Sequence, residues 1–233
     1  MVARRRRKSR RRILRIAALI LCLPAIVSLL LVLPLRWFDP ATSAFMLQDD
    51  SGRDPLLHSW VDWSQLGSAM PLAVVAAEDQ RFAEHFGLDL DSIRKSIDAG
   101  KRGHRMRGAS TISQQLAKNL FLTPSRSMLR KGVEAWLTVV IEVCLPKRRI
   151  LEIYVNIVEL GPGIYGVAAA SQHYFRKTPA ALSDREAALL AAVLPNPVQL
   201  RVDAPSAYVR ERQQWILSQM QRLRRERWLV SLG

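Results

Sequence analysis

Apolar and polar positions divide the chain into one long uninterrupted apolar run and, beyond it, a series of shorter segments with helical spacing. The run, Ile16 to Leu35, passes twenty residues without a charge, long enough to cross a bilayer as a helix. Pro24 is expected to kink that helix, a distortion that membrane helices tolerate. Residues 36–70 scatter Asp, Ser, Gly and Pro among short apolar pieces. They read as a linker and lead-in, with the linker proper at 36–59 and the folded domain at 60–228. Pro71-Leu72-Ala73-Val74-Val75-Ala76-Ala77 is apolar on every face and predicts a buried helix. Asp91 or Ser92 can cap a short helix ending near Gly100. Gly100 to Gly108 is basic, glycine-punctuated and aperiodic, which reads as a mobile loop. Thr111 with Gln114 forms a capping box for a helix carrying Gln115 to Leu120. Arg130 to Val143 is amphipathic and ends before Pro146. Arg149 to Leu160 predicts another helix, stopped by Gly161-Pro162-Gly163 in a tight helix-to-helix loop. Ser183 and Glu186 make a second capping box, opening an Ala- and Leu-rich helix that ends at Pro195. The last helix, about Ser206 to Trp228, is polar and basic on one side. Few segments alternate with period two, so the domain is mainly α-helical. Internal repeats are absent from the sequence.

Charge changes the picture at the N-terminus. Arg4 to Arg7, Lys8, Arg10, Arg11, Arg12 and Arg15 place nine basic residues before any acid. A cationic flank of this kind puts residues 1–15 in the cytoplasm, residues 16–35 across the membrane and the rest outside. A cleaved signal peptide is the rival reading. Its apolar core is normally about 7–15 residues, and Thr42 and Ala44 offer small residues for cleavage, yet the length of the run favours a retained anchor. The net charge is +15, of which the tail holds nine, leaving +6 for the remainder. Anionic headgroups and topology account for the tail better than nucleic acid does, and the residual charge points to an anionic partner. Cys22 falls in the apolar run and Cys144 in the domain, so no disulfide framework is expected. His58, His85, His104 and His173 have no metal-ligand spacing.

Candidate chemistry begins at Glu78-Asp79, directly after the apolar helix. A carboxylate at that point lies where the core stops and solvent or a cleft begins. Taken alone, this stretch favours capping or a salt bridge for Glu78 over general-base chemistry. Arg126, Arg130 and Glu134 share a face if one helix covers them, with Lys131 alongside. They form either a surface ladder of ion pairs or a phosphate grip containing a carboxylate. Gly108 to Asn119 is denser in polar groups than capping requires, and a helix start there suits an anion. Gly161-Pro162-Gly163-Ile164-Tyr165-Gly166 matches GxGxxG, but the helical spacing before it and the lack of a βαβ unit exclude dinucleotide binding.

Taken in order, Glu-Asp-x-x-Phe-x-x-His-x-Gly at 78–87, Gly-Ala-Ser-Thr-Ile-Ser-Gln-Gln-Leu-Ala-Lys-Asn at 108–119 and Arg-Lys-x-x-Glu at 130–134 resemble successive signatures of the peptidoglycan glycosyltransferase (transglycosylase) domain. Arg149 to Asn156 with Gly161 to Lys177 is similar to the fourth signature, and Leu182 to Ala191 to the fifth. Ala109 stands where the family more often has Gly. With no Ser-x-x-Lys segment following, the chain resembles the monofunctional biosynthetic form. The resemblance implies a lysozyme-like helical lobe plus a smaller membrane-facing lobe, preceded by one transmembrane helix in the bacterial inner membrane. It implies a lipid II donor, a growing lipid-linked strand and a β-1,4 product, with cell-wall synthesis or division proteins as partners and no nucleic acid. By the same resemblance Glu78 is the base, and Glu134 the second carboxylate that positions substrate and stabilises charge on the donor. Lys118, Arg126, Arg130 and Lys131 stabilise the departing diphosphate, while Ser110, Gln114, Gln115 and Asn119 contact pyrophosphate or sugar. Asp79 joins the substrate contacts, with its role open between a structural acceptor and a weak metal contact. No tightly bound cofactor is implied; Mg2+ or another divalent cation can assist at the pyrophosphate without a protein cage. Two other classes stay open, a lytic lysozyme-like enzyme acting on existing glycan and a non-catalytic membrane-anchored scaffold.

Overall fold

A helix that is apolar all round must be surrounded, and Ala69–Glu78 sits at the centre of one group of helices accordingly. The computed structural model describes residues 22–91, 94, 98, 110–125, 127–226 and 228. In chain order, α1 spans residues 22–32 and continues into a 3-10 turn at Leu33–Arg36. Then come α2 (Ala44–Leu47), β1 (Leu57–His58), α3 (Trp63–Leu66) and α4 (Ala69–Glu78). Next are α5 (Ile112–Phe121), α6 (Met128–Cys144), α7 (Lys147–Ile157), β2 (Glu159–Gly161) and β3 (Ile164–Tyr165). The chain closes with α8 (Val167–Phe175), α9 (Asp184–Val193) and α10 (Ala207–Arg225).

Residues Ala69 to Ala76 of α4 are all buried, and α4 packs against both α9 and α10. The latter turns one stripe inward, Val209, Gln213, Ile216, Met220 and Leu223, at alternating spacings of four and three. A second group forms where α5 packs on α6 and α7. Helix α7 also touches α4, so it joins the two groups. The end of α4 and the start of α5, where the first two motifs lie, are thereby held in one framework.

Several expected boundaries hold. Both capping boxes are present, Thr111 with Gln114 and Ser183 with Glu186. Ser206 caps α10, and α6 stops before Pro146. The helix predicted over 149–160 ends early, at Ile157, and Val158 turns the chain into a strand. The glycine-rich stretch after it is therefore a β-hairpin, not a helix-to-helix loop. β2 pairs antiparallel with β3, and β1 adds to β3 in parallel, giving the order β1-β3-β2. Strands of two and three residues carry too little alternation to be read in sequence. Gly166, at φ +78°, leads the hairpin into α8, where a Cβ would lie 2.3 Å from the Asn156 carbonyl oxygen. Strand, turn, strand and helix is not the strand-turn-helix of a dinucleotide site.

Residues 36–59, read as a linker, carry α2 and β1 and are tied to the helices. Arg149 donates to the Leu35 carbonyl at 2.8 Å, the Phe38 carbonyl at 3.0 Å and Asp39 at 2.7 Å. Further on, the Asn156 side chain exchanges two 2.9 Å hydrogen bonds with the Val61 backbone. Of the span expected at 16–35, residues 16–21 lie outside the described residues, as do 99–109 with the loop expected at 100–108. Among the described residues no helix is long and apolar enough to cross a membrane. Cys22 and Cys144 are free thiols.

Candidate active site

The carboxylate of Glu78 emerges where α4 stops, because Asp79 leaves helical geometry at φ −159°, ψ 75°. Its two oxygens have separate partners. Arg212 on α10 donates to Oε1 at 3.0 Å, and Gln115 on α5 donates to Oε2 at 2.8 Å. Gln115 in turn accepts from the Tyr154 hydroxyl at 2.8 Å. Burial, reinforced by the charges of Glu78 and Asp79, keeps the Tyr154 phenol protonated far above its ordinary range. That hydroxyl is therefore a fixed donor, which orients the Gln115 amide with its NH2 toward Glu78. A carboxylate offers about four lone-pair sites, so a third proton donor can still approach Glu78.

The rest of the 78–87 motif builds a joint beneath this group. Asp79 is buried and accepts from His85 Nε2 at 2.8 and 3.1 Å and from the Ile112 backbone N–H at 3.1 Å. Expected among the substrate contacts, with its role open between a structural acceptor and a weak metal contact, it accepts these bonds at the positive end of α5. Phe82 is fully buried beneath the Lys147 ammonium, 4.4 Å from its ring centre. At Gly87, φ +75°, a Cβ would strike Thr138 at 2.7 Å and Glu142 at 2.8 Å. Thr111 donates to the Gly87 carbonyl at 2.5 Å, so the cap of α5 is fastened to the joint. Buried Glu142 accepts from Ser113 and, at 2.8 Å, from Lys147.

A second cluster lies on α5 and α6. Glu134 is almost fully buried and accepts from Arg130 at 3.0 Å and from Lys131. Among the described residues the Lys118 ammonium makes no hydrogen bond or ion pair; it stands 5.1 Å from the centre of the Phe45 ring. Burial lowers its pKa; Glu134 and Glu78 oppose that shift, and Arg130 and Lys131 add to it. Lys118 is thus within electrostatic reach of both carboxylates. The cluster holds three cations against one carboxylate, a surplus suited to an anionic ligand.

Helix α6 begins at Met128, so it carries Arg130, Lys131 and Glu134 on its first turns, while Arg126 lies outside the described residues. Gln115, Lys118 and Asn119 share the face of α5 set by their spacing. The Oδ1 of Asn119 is buried with no hydrogen-bond partner among the described residues. Gln114, expected among the substrate contacts, has a buried side chain that accepts from the Thr111 N–H at 3.0 Å and completes the cap. Ser110 is half-buried in the turn just before that cap. No group of three or more His, Cys, Asp or Glu converges on a metal position among the described residues. Sequence reasoning did not single out Arg212 or Tyr154. Tyr154 lies within the fourth motif, whereas Arg212 has no local signal, being one basic residue among several on an amphipathic helix.

The transglycosylase family model matches residues 49–221. Curated relatives named biosynthetic peptidoglycan transglycosylase are similar over most of the chain. That of Shewanella oneidensis is 49% identical over 200 residues, covering 84% of this chain and 86% of the relative. That of Pasteurella multocida is 53% identical over 185 residues, covering 76% and 75%. That of Klebsiella oxytoca is 56% identical over 170 residues, covering 72% and 70%.

Proposed function

The chain belongs to the transglycosylase family, and from that premise we propose that it polymerises lipid II into peptidoglycan glycan strands by an inverting displacement at Glu78. The observation that carries the reading is the pairing of one oriented carboxylate, held by Gln115 and Arg212, with a surplus of cations at Lys118, Arg130 and Lys131. In the reaction the acceptor 4-hydroxyl oxygen bonds to the donor anomeric carbon. Glu78 takes the hydroxyl proton. The bond from that carbon to the diphosphate breaks, and the diphosphate leaves with the electron pair. General-base help of this kind typically contributes about 10²–10⁴-fold. Diphosphate is already a good leaving group, so fixed cations can replace a general acid. Glu134, whose two oxygens accept from Arg130 and Lys131, keeps those cations in place, and as the second carboxylate it positions substrate and stabilises charge on the donor. In this reading Gln115 and Asn119 contact sugar or phosphate, and a divalent cation such as Mg2+ can assist at the diphosphate.

Membrane placement belongs to the same proposal: residues 16–35 cross the inner membrane, residues 1–15 stay in the cytoplasm, and the catalytic domain lies on the periplasmic side. Two neighbouring apolar surfaces support it. Leu23, Ile26, Val27, Leu30 and Leu31 of α1 are exposed. On α6, Leu129, Val133, Trp136, Val139 and Val143 form an exposed apolar stripe. The two helices are joined by a 2.9 Å hydrogen bond from Trp136 to Ser28.

Substituting Glu78→Gln tests the central step. Polymerisation of labelled lipid II is expected to fall by at least about 10²-fold, with the thermal transition and membrane retention unchanged. A variant that elongates strands at the wild-type rate removes Glu78 from the role of base.

A further inference from the structure

The Lys118 ammonium has an unusual setting. It is largely desolvated, yet among the described residues no carboxylate touches it. The charged groups acting on it are Glu134, Arg130 and Lys131 from α6 and Glu78 from α4, all without direct contact. Helix α2, which packs against α5, contains no charged residue and presents the Phe45 ring. A π face attracts a cation electrostatically without donating or accepting a proton. It therefore favours the charged form while leaving all three N–H donors free for an incoming anion. A carboxylate in the same place would occupy one of those donors and cancel the charge.

The position of Phe45 is itself well determined. Ser43 caps α2 by accepting from Met46 N–H at 3.2 Å, and Met46 is buried. Upstream, Arg149 fastens the Leu35 and Phe38 carbonyls and the Asp39 carboxylate to α7. The segment between α1 and the domain is thereby a braced strap with one aromatic ring directed at the cation cluster.

We propose that Phe45 is a positioning residue of the donor site, its ring face holding the Lys118 ammonium charged and oriented for the departing diphosphate. The strap below the N-terminal helix is then a working part of the site and not a tether. This inference rests on the assignment of Lys118 to the diphosphate.

The test is made on the full chain in detergent or bilayers. Phe45 is replaced by 3,4,5-trifluorophenylalanine, which keeps the ring's size and removes most of its negative face, and separately by Tyr and by Leu. The Lys118 pKa is read by competitive amine labelling, and polymerisation of lipid II is followed across pH. The trifluoro ring and Phe45→Leu are expected to lower the Lys118 pKa by about half to one unit. The alkaline limb of the pH–rate profile should move down with it, and KM for lipid II should rise about three- to tenfold. Phe45→Tyr should behave as the parent. An unmoved Lys118 pKa with the trifluoro ring overturns the proposal, as does equal loss with Tyr and trifluorophenylalanine. Should Phe45→Leu unfold, the isosteric ring still decides the matter. Failure of the parent protein to polymerise would instead count against the catalytic assignment, because the labelling measurement needs no turnover.

Discussion

Two neighbours divide the oxygens of Glu78, and they come from the middle of the chain and from near its C-terminal end, Gln115 on α5 and Arg212 on α10. Gln115 is itself held by Tyr154, so its grip on Oε2 does not depend on Arg212. Removing the guanidinium leaves the carboxylate plane fixed at one oxygen only. A hydrogen bond to a charged group contributes about 1.5–3 kcal/mol. For Arg212→Met, kcat is accordingly expected to fall about 10–100-fold, with KM for lipid II nearly unchanged. Steady-state polymerisation assays check the split, and an unaltered kcat would make the ion pair purely structural. Asp79 illustrates the limits of residue type as a guide. It is adjacent to Glu78 and chemically alike, yet it points the other way, into His85 and the start of α5. Only the backbone turn at the end of α4 separates the two roles.

At the level of elements, the two capping boxes make a matched pair with different consequences. Thr111 opens the helix that carries Gln115, Lys118 and Asn119, and it also donates to the Gly87 carbonyl. Ser183 opens α9, which packs against α4, α10 and β2. Losing a cap of this kind costs about 1 kcal/mol. Both Thr111→Ala and Ser183→Ala are therefore expected to lower the melting temperature by a few degrees. Polymerisation should drop severalfold for Thr111→Ala and stay at the parent level for Ser183→Ala. Equal activity in the two variants would separate the cap of α5 from the site. These caps were legible because their signal is local, two side chains three residues apart. The end of α7 was not: Val158 to Leu160 is too short to show an alternation, and it became strand only because β3 lies beside it.

Across the whole molecule, segments distant in sequence create charge environments that none contains alone. Asp49 and Asp50 follow α2, Glu159 is in β2, and Tyr165 in β3 donates to Asp49 at 2.7 Å. Burial pushes Asp49 up, but hydrogen bonds from Ser51 and Tyr165 outweigh it and hold this carboxyl below its usual range. Glu159 has only a backbone hydrogen bond from Gly163 in its support, too little to offset the opposing effects. Burial first, then the charges of Asp49 and Asp50, raise its pKa from 4.5 to about 7. Between those values the folded protein keeps a proton that the unfolded chain has lost, so stability falls as pH rises through this window. The penalty is absent below pH 4.5 and complete above about pH 7. Glu159→Gln carries no charge at any pH. It is expected to raise the melting temperature at pH 8 and leave it unchanged at pH 4.5, as thermal unfolding at the two values would record. A gain of the same size at both would exclude ionisation as the cause.

The sequence by itself determined the helical class, the order of the motifs, the helix caps and most of the residues placed at the two clusters. Those features depend on spacing within a few residues, where the backbone geometry of a helix already dictates which groups meet. Tertiary structure decided the rest: Arg212 at Glu78, Phe45 over Lys118, Asp79 turned inward, and Gln114 consumed by its cap. It also made a braced strap and a third strand of what composition reads as a linker. In each case the partner lies tens of residues or more away or the direction of a side chain is at issue. Such contacts follow from how helices pack and where each one stops, and a pattern of apolar and polar positions carries no information about either.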